Sequence, residues 1–104
     1  MDLLCRTTLL RGAAGLQVSG EVDLSTLPSF RDQLLKLVDD NPGSTVLVDL
    51  DGVTALDDAG LGMLLGAAGR ARQRQGDLRL VCTAPHLLRR FEVTGLDRAV
   101  SVVE

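Results

Sequence analysis

Two adjacent carboxylates, Asp57 and Asp58, followed by Ala59-Gly60-Leu61-Gly62, form the stretch whose residue types could do chemistry. Neighbouring aspartates can act as general acid and base, accept a phosphoryl group, or bond the start of a helix. The first role needs carboxyls facing each other about 5 to 9.5 Å apart across a cleft, and a chain of 104 residues has few with which to build one. The second needs a further acidic cluster after the first strand and a lysine after the last, but the only lysine is Lys36. Helix capping remains, and it uses one carboxylate. The second is either ordinary solvated loop or a recognition group.

Other reactive constellations are missing. His86 is the only histidine, which leaves a histidine-based metal site or a nucleophile–base pair without support. Cys5 and Cys82 fall in separate predicted strands without CxxC spacing, so no redox or zinc site is indicated. No cofactor or metal is implied. Formal net charge is −3, the basic residues are scattered, and Phe30 and Phe91 are the only aromatics. Neither a phosphate-binding surface nor a base-stacking platform for nucleic acid follows. Arg70, Arg72 and Arg74 cluster at a predicted helix end, where cations complement the helix dipole.

The acidic stretch sits between a strand and a helix. Upstream, Thr45 to Leu50 is a nearly unbroken apolar run, as expected for a central strand covered on both faces. Downstream, Leu61, Leu64, Leu65, Ala68 and Arg72 fall at helical spacing, and the apolar members make a stripe for a sheet. Gly62, Gly66 and Gly69 form a second stripe, about a quarter circle away at roughly 100° per residue. Glycine costs about 1 kcal/mol relative to alanine inside a helix. Three on one face therefore have a reason, either close helix packing or a flat surface kept clear for a partner. Met63 projects beside the glycines and is expected to be exposed, where a flexible methionine suits partner binding.

The remaining elements follow in order. Leu3 to Leu10 and Leu16 to Ser19 read as a hairpin around the glycines of Arg11-Gly12-Ala13-Ala14-Gly15. Leu27, Phe30, Leu34, Leu37 and Val38 repeat at helical spacing, with Thr26 or Ser25 as N-cap, Pro28 in the first turn, and a stop at Asn41-Pro42-Gly43. Gln75-Gly76-Asp77 is a turn and Leu78 to Cys82 a strand. Pro85 opens a third helix with Leu87, Leu88 and Phe91 inside and Arg89 and Arg90 solvated; Thr94-Gly95 stops it. Ala99 to Val103 is a last short segment able to add an edge strand. The order predicts one α/β domain over residues 1–104, with a mixed sheet and parallel crossovers after the opening hairpin. Hydrophobic residues make up 45% without a run long enough for a bilayer, and the N-terminus lacks an export-signal pattern, so the expected location is the cytoplasm.

Four segments, in order and spacing, carry a resemblance: Gly20-Glu21-Val22-Asp23-Leu24-Ser25, Val46 to Val53, Leu56 to Met63, and Thr94-Gly95-Leu96-Asp97. Together they resemble the STAS domain of the bacterial anti-sigma factor antagonist type, over nearly the whole chain. The resemblance implies helices packed against a mixed sheet and no catalytic activity. It implies a partner, an anti-sigma factor that is usually a serine kinase of the histidine-kinase-like ATPase superfamily, whose capture releases a sigma factor. It also implies a switch, in which that kinase phosphorylates a serine at the helix start and a PP2C-type phosphatase restores it. Asp23, Ser25 and Thr26 match the loop that contacts the kinase, and Asp57 matches the motif's leading acid. Asp58, Ala59, Gly60, Leu61, Gly62, Met63 and Gly66 complete the expected partner-binding set. Ala59 occupies the acceptor position and has no hydroxyl. Asp58 is no substitute, because kinases acting on serine do not phosphorylate carboxylates. The resemblance thus implies an antagonist that escapes the usual off-switch. The alternative is an accessory STAS subunit docked on a larger assembly, such as a lipid-transport complex or a stress-signalling scaffold.

Overall fold

A computed structural model describes residues 2–104; Met1, at the start of the N-terminal stretch read for an export signal, lies outside them. The elements are β1 (Leu3–Leu10), β2 (Ala13–Val22), α1 (Leu27–Asp39), β3 (Thr45–Leu56), α2 (Asp58–Gln73), β4 (Asp77–Val81), α3 (Pro85–Thr94), α4 (Leu96–Ala99) and β5 (Ser101–Val103). They build one five-stranded sheet in the order β1-β2-β3-β4-β5, with β1 antiparallel to β2 and every later pair parallel. Spatial order equals chain order. Successive right-handed crossovers that step in one direction leave their helices on one face of the sheet.

That arrangement corrects one expectation. β3 is not covered by helices on both faces: Val46, Val48 and Leu50 are fully buried, whereas Asp49 is half-buried and Asp51 exposed on the far side. The apolar run arose because Leu47 on that far side is buried too. Its neighbour in β2 is Gly15, over which the Leu10 side chain lies. The hairpin turn is fastened to the opposite edge of the sheet, Arg11 donating to the backbone carbonyl of Glu104. β3 also runs six residues beyond the expected Leu50, to Leu56. Register shifts in the β2–β3 pairing between Gln17 and Ser19 and between Gly20 and Glu21 accommodate the extension, and Val53 and Leu56 rejoin the core.

The core lies between sheet and helices. Phe30, Leu34, Leu37 and Val38 of α1 meet Leu16, Val18 and Val22 of β2 in one buried cluster with Val46, Val48 and Leu50. α1 begins at Leu27 with Pro28 in its first turn; Thr26 holds the N-cap position without capping through its side chain. Asn41 Nδ2 donates to the Leu37 carbonyl at 2.8 Å to close the C-terminus. α1 and α2 are clamped at their ends by Asp39, which accepts from Arg70 at 2.7 and 3.0 Å and lies 3.5 Å from Arg74. Arg72 bonds Asp77 at 3.1 Å and the Ala99 carbonyl at 2.6 Å. The three arginines thus join elements in addition to facing a helix C-terminus. Gly95, in the left-handed region at φ +80°, ends α3 where expected. The closing segment divides, Leu96–Ala99 forming α4 and only Ser101–Val103 the edge strand.

The rotation of α2 differs from its apparent stripe. Gly60, Leu61, Leu64, Ala67, Ala68 and Ala71 are buried, while Leu65 is 44% exposed and Arg72 lies outside. Two leucines equal in sequence pattern are therefore unequal in energy. Leu64→Ala should cost about 2–5 kcal/mol in chemical denaturation, as large-to-small core changes do, and Leu65→Ala less than about 1 kcal/mol. Equal losses at the two positions would contradict this rotation.

Candidate functional site

The carboxyl ends of β2 and β3 lie side by side, and the two loops that leave them form one rim. Asp57 donates its backbone N–H to the Val22 carbonyl at 2.9 Å, which ties the second loop to the first. Asp57 is the N-cap of α2: its backbone is extended (φ −68°, ψ 154°) and its carboxylate accepts from the Ala59 N–H at 3.2 Å. The helix therefore starts at Asp58, three residues before its first large apolar residue, Leu61. The second carboxylate is not simply solvated. Asp58 Oδ1 lies 2.6 Å from Nη2 of Arg90 on α3, so Arg90, expected to be solvated, is an ion-pair partner across 32 residues of sequence. Asp58 itself stays 89% exposed, so the pair trims its charge and adds little stability.

The first loop is held by its own hydrogen bonds. The Asp23 carboxylate accepts from the Ser25 hydroxyl at 2.6 Å, the Ser25 N–H at 2.9 Å and the Thr26 N–H at 3.2 Å. The Thr26 hydroxyl donates to the Glu21 carbonyl at 2.8 Å and accepts from the Asp23 N–H at 3.0 Å. The Ser25 hydroxyl first, and the two N–H groups with it, hold the Asp23 carboxyl below the usual carboxylate range, against desolvation, which outweighs either N–H bond taken singly. Between Asp23 and Thr26, this bonding turns Leu24 outward, 79% exposed.

Along α2 the glycines separate into two kinds. At Gly60 a Cβ would lie 2.8 Å from both Leu56 Cδ1 and Val22 Cγ1, so the first turn rests directly on β2 and β3. At Gly62, Gly66 and Gly69 a Cβ would meet nothing within 4 Å. Close packing does not account for those three. At roughly 100° per residue the buried set centres about half a turn from Gly62, Gly66 and Gly69, which places the stripe at the outward centre of the helix. Exposed Ala59 stands at its head, at i−3 from Gly62.

Met63 corrects an expectation, being half-buried and packed against the core. With Leu24, Leu27 and Pro28 it lines a shallow apolar recess beside α1. It also enters a groove of about 340 Å³ between α1 and α2, together with Arg31, Leu35, Gly66 and Arg70. A second groove of about 180 Å³ flanks the stripe on the other side, lined by Gly62, Leu65, Gly95 and Ala99. Of the expected partner-binding residues, the structure brings Asp23, Ser25, Asp58, Ala59, Gly62, Met63 and Gly66 to one accessible surface with Asp57 and Thr26 bracing its rim. It places Gly60 and Leu61 beneath that surface. Leu24, Leu65 and Arg90 belong to the same surface and were missed; exposed apolar side chains and a distant ion pair leave no local spacing to read. Among the described residues, no group of three or more His, Cys, Asp or Glu side chains could hold a metal ion.

Residues 5–104 match the family model described as "Mlab, STAS domain". The anti-sigma-B factor antagonist of Listeria monocytogenes is 35% identical over 85 residues, covering 82% of this chain and 74% of that protein. The chain belongs to the STAS domain family, in its anti-sigma factor antagonist group. The anti-sigma-B factor antagonist of Bacillus subtilis is 28% identical, covering 84% of the chain and 78% of the relative. An anti-sigma factor antagonist from Mycobacterium paratuberculosis superposes with a TM-score of 0.86 at 25% identity, over 98% of this chain and 86% of its own. The names of these STAS proteins describe antagonism of another protein, not catalysis of a reaction.

The two kinds of glycine predict opposite responses. Gly60→Val should cost about 1–3 kcal/mol by overpacking, whereas Gly66→Ala should stabilise by about 0.5–1 kcal/mol because helix propensity improves with nothing in the way. Denaturant titration of both variants checks the contrast, and destabilisation by Gly66→Ala would restore packing as its reason. At Asp23, the lowered folded pKa means that its stabilising contribution is present at neutral pH and is lost as pH falls below the ordinary value of 3.8. Ser25→Ala should raise the Asp23 midpoint in an NMR titration of side-chain carboxyl carbons; an unchanged midpoint would remove the hydroxyl as the main cause.

Proposed function

We propose that this chain binds an anti-sigma factor, and so frees a sigma factor, through the outward face of α2 together with the Asp23–Thr26 loop. The observation that carries the reading is the glycine stripe headed by Ala59, which has nothing of its own chain to pack against and costs the helix about 1 kcal/mol per glycine. A close, flat approach by another surface uses that absence of side chains. Leu24, half-buried Met63 and Leu65 supply apolar contact on both flanks, and apolar contact of this kind drives association when it is well packed. The names of the relatives support the partner class, and the resemblance favours a serine kinase of the histidine-kinase-like ATPase superfamily, met in the cytoplasm.

On this reading Ala59 removes the off-switch. A phosphoserine at the first turn would add a charge of about −1.5 to −2 in the middle of the contact, and alanine cannot carry it. A PP2C-type phosphatase then has no substrate at this position, and the antagonist is constitutively competent. Asp58 is a weak imitation of a phosphate, since it bears about half to two-thirds of the charge, lacks the tetrahedral oxygens, and has Arg90 against it. The second reading, an accessory subunit of a larger assembly such as a lipid-transport complex, draws on the wording of the family model, which names Mlab instead of an antagonist.

The experiment is incubation with a purified anti-sigma factor kinase that this chain binds, with ATP, followed by intact-mass measurement. Wild-type protein should remain unmodified, and Ala59→Ser should gain one phosphate and lose affinity. Phosphate on the wild-type chain would refute the escape from the switch. Gly66→Arg should lower kinase affinity at least tenfold in calorimetric titration, with an unfolding midpoint no lower than that of the wild type. Wild-type failure to bind, with co-purification of membrane-transport subunits instead, would favour the accessory reading.

A further inference from the structure

The sheet has two edges, and they are unequal. β5 is three residues long, whereas β1 runs for eight, Leu3-Leu4-Cys5-Arg6-Thr7-Thr8-Leu9-Leu10, and pairs only with β2. Among the described residues no backbone group outside β2 bonds to Leu3–Leu10. Such an edge presents a row of free N–H and C=O groups. Proteins that keep one unpaired usually blunt it with proline, lysine, a bulge or brevity. β1 has no proline, glycine or lysine and no register shift against β2, and Arg6 is its single charge. It also exposes leucines on both faces, Leu4 at 68% and Leu9 at 75%.

We propose that the free edge of β1 pairs antiparallel with β1 of a second copy about a twofold axis at Thr7. Register selects both the occupant and the axis. In a continuous sheet, residues directly opposite each other must lie on the same face. Leu3, Cys5, Thr7 and Leu9 lie on the helix face, opposite Gly20, Val18, Leu16 and Ala14 of β2, and Leu4, Arg6, Thr8 and Leu10 lie on the other. A twofold axis must therefore pass through a residue. Centred on Arg6 it would set two guanidinium groups opposite each other, which is destabilising. Centred on Thr7 it pairs Thr7 with its own copy, Arg6 with Thr8, Cys5 with Leu9, and Leu4 with Leu10. Every exposed leucine of the strand then faces an apolar group, and the one charge faces a hydroxyl. The sequence of β1 is self-complementary in this register, so the partner is another copy of the chain.

The pairing is independent of the anti-sigma factor reading. It leaves α2, which packs over β3 and β4, uncovered in each copy, so a dimer would offer two glycine faces and would bind a two-site partner with avidity.

Sedimentation equilibrium of the full chain over a concentration series tests the proposal. Wild-type protein should reach twice its 11.1 kDa mass, and the double variant Leu4→Lys, Leu9→Lys should stay at the mass of one chain. Both positions are exposed, so far-ultraviolet circular dichroism of the double variant should match that of the wild type. Thr7→Cys should form a disulfide to its own copy under mild oxidation, located by peptide mapping. A wild-type chain of single mass throughout, a dimer indifferent to the two lysines, or cross-linking through Cys5 in place of position 7 would each overturn it.

Discussion

The seat of the first turn of α2 on Val22 and Leu56 is the contact on which the rest of this structure depends. Position 60 has room for a hydrogen and no more, so the helix can approach the carboxyl ends of β2 and β3 in one rotation only. Asp57 fixes that rotation twice, with its N–H on Val22 and its carboxylate on the helix start. Once it is set, Leu64, Ala67 and Ala71 must point into the core, and Ala59, Gly62 and Gly66 must point away. The outward face owes its orientation to a packing constraint on its hidden side.

On the proposed reading, that division lets a flat surface be specific. Its centre is backbone and small side chains, which bring little energy but admit close approach, and its borders are apolar groups that gain from leaving water. The charge beside it is restrained by Arg90, and the loop carboxylate of Asp23 is spent on its own turn. Both carboxylates at the rim are thus engaged within the chain.

The hairpin, the order of elements apart from α4, the helix start at Leu27 and the stop at Gly95 were legible in the sequence because turn glycines, prolines and large apolar residues mark them directly. The rotation of α2 was not. Leu65 and Arg72 complete a helical stripe as well as Ala67 and Ala71 do, and a pattern weighted to large side chains overlooks alanines that carry the burial. The length of β3 was hidden by Asp51 and Gly52, which interrupt the apolar run where the β2–β3 register shifts. Its one-sided cover was hidden by Leu47, whose shelter comes from the opening hairpin. At the site, capping by Asp57 follows from local rules, and the pairing of Asp58 with Arg90 does not, because only the fold brings α3 to the start of α2.

Because spatial order equals chain order, every strand finds its neighbour in the one made just before it. Each crossover closes a loop of one helix, or in the last case two short ones, so the entropy of ordering is met in short instalments and no segment waits for a distant one. A growing chain can therefore extend its sheet from β2 toward β5 as it is synthesised. Assembly of this kind lets the number of folded copies track the rate at which the chain is made.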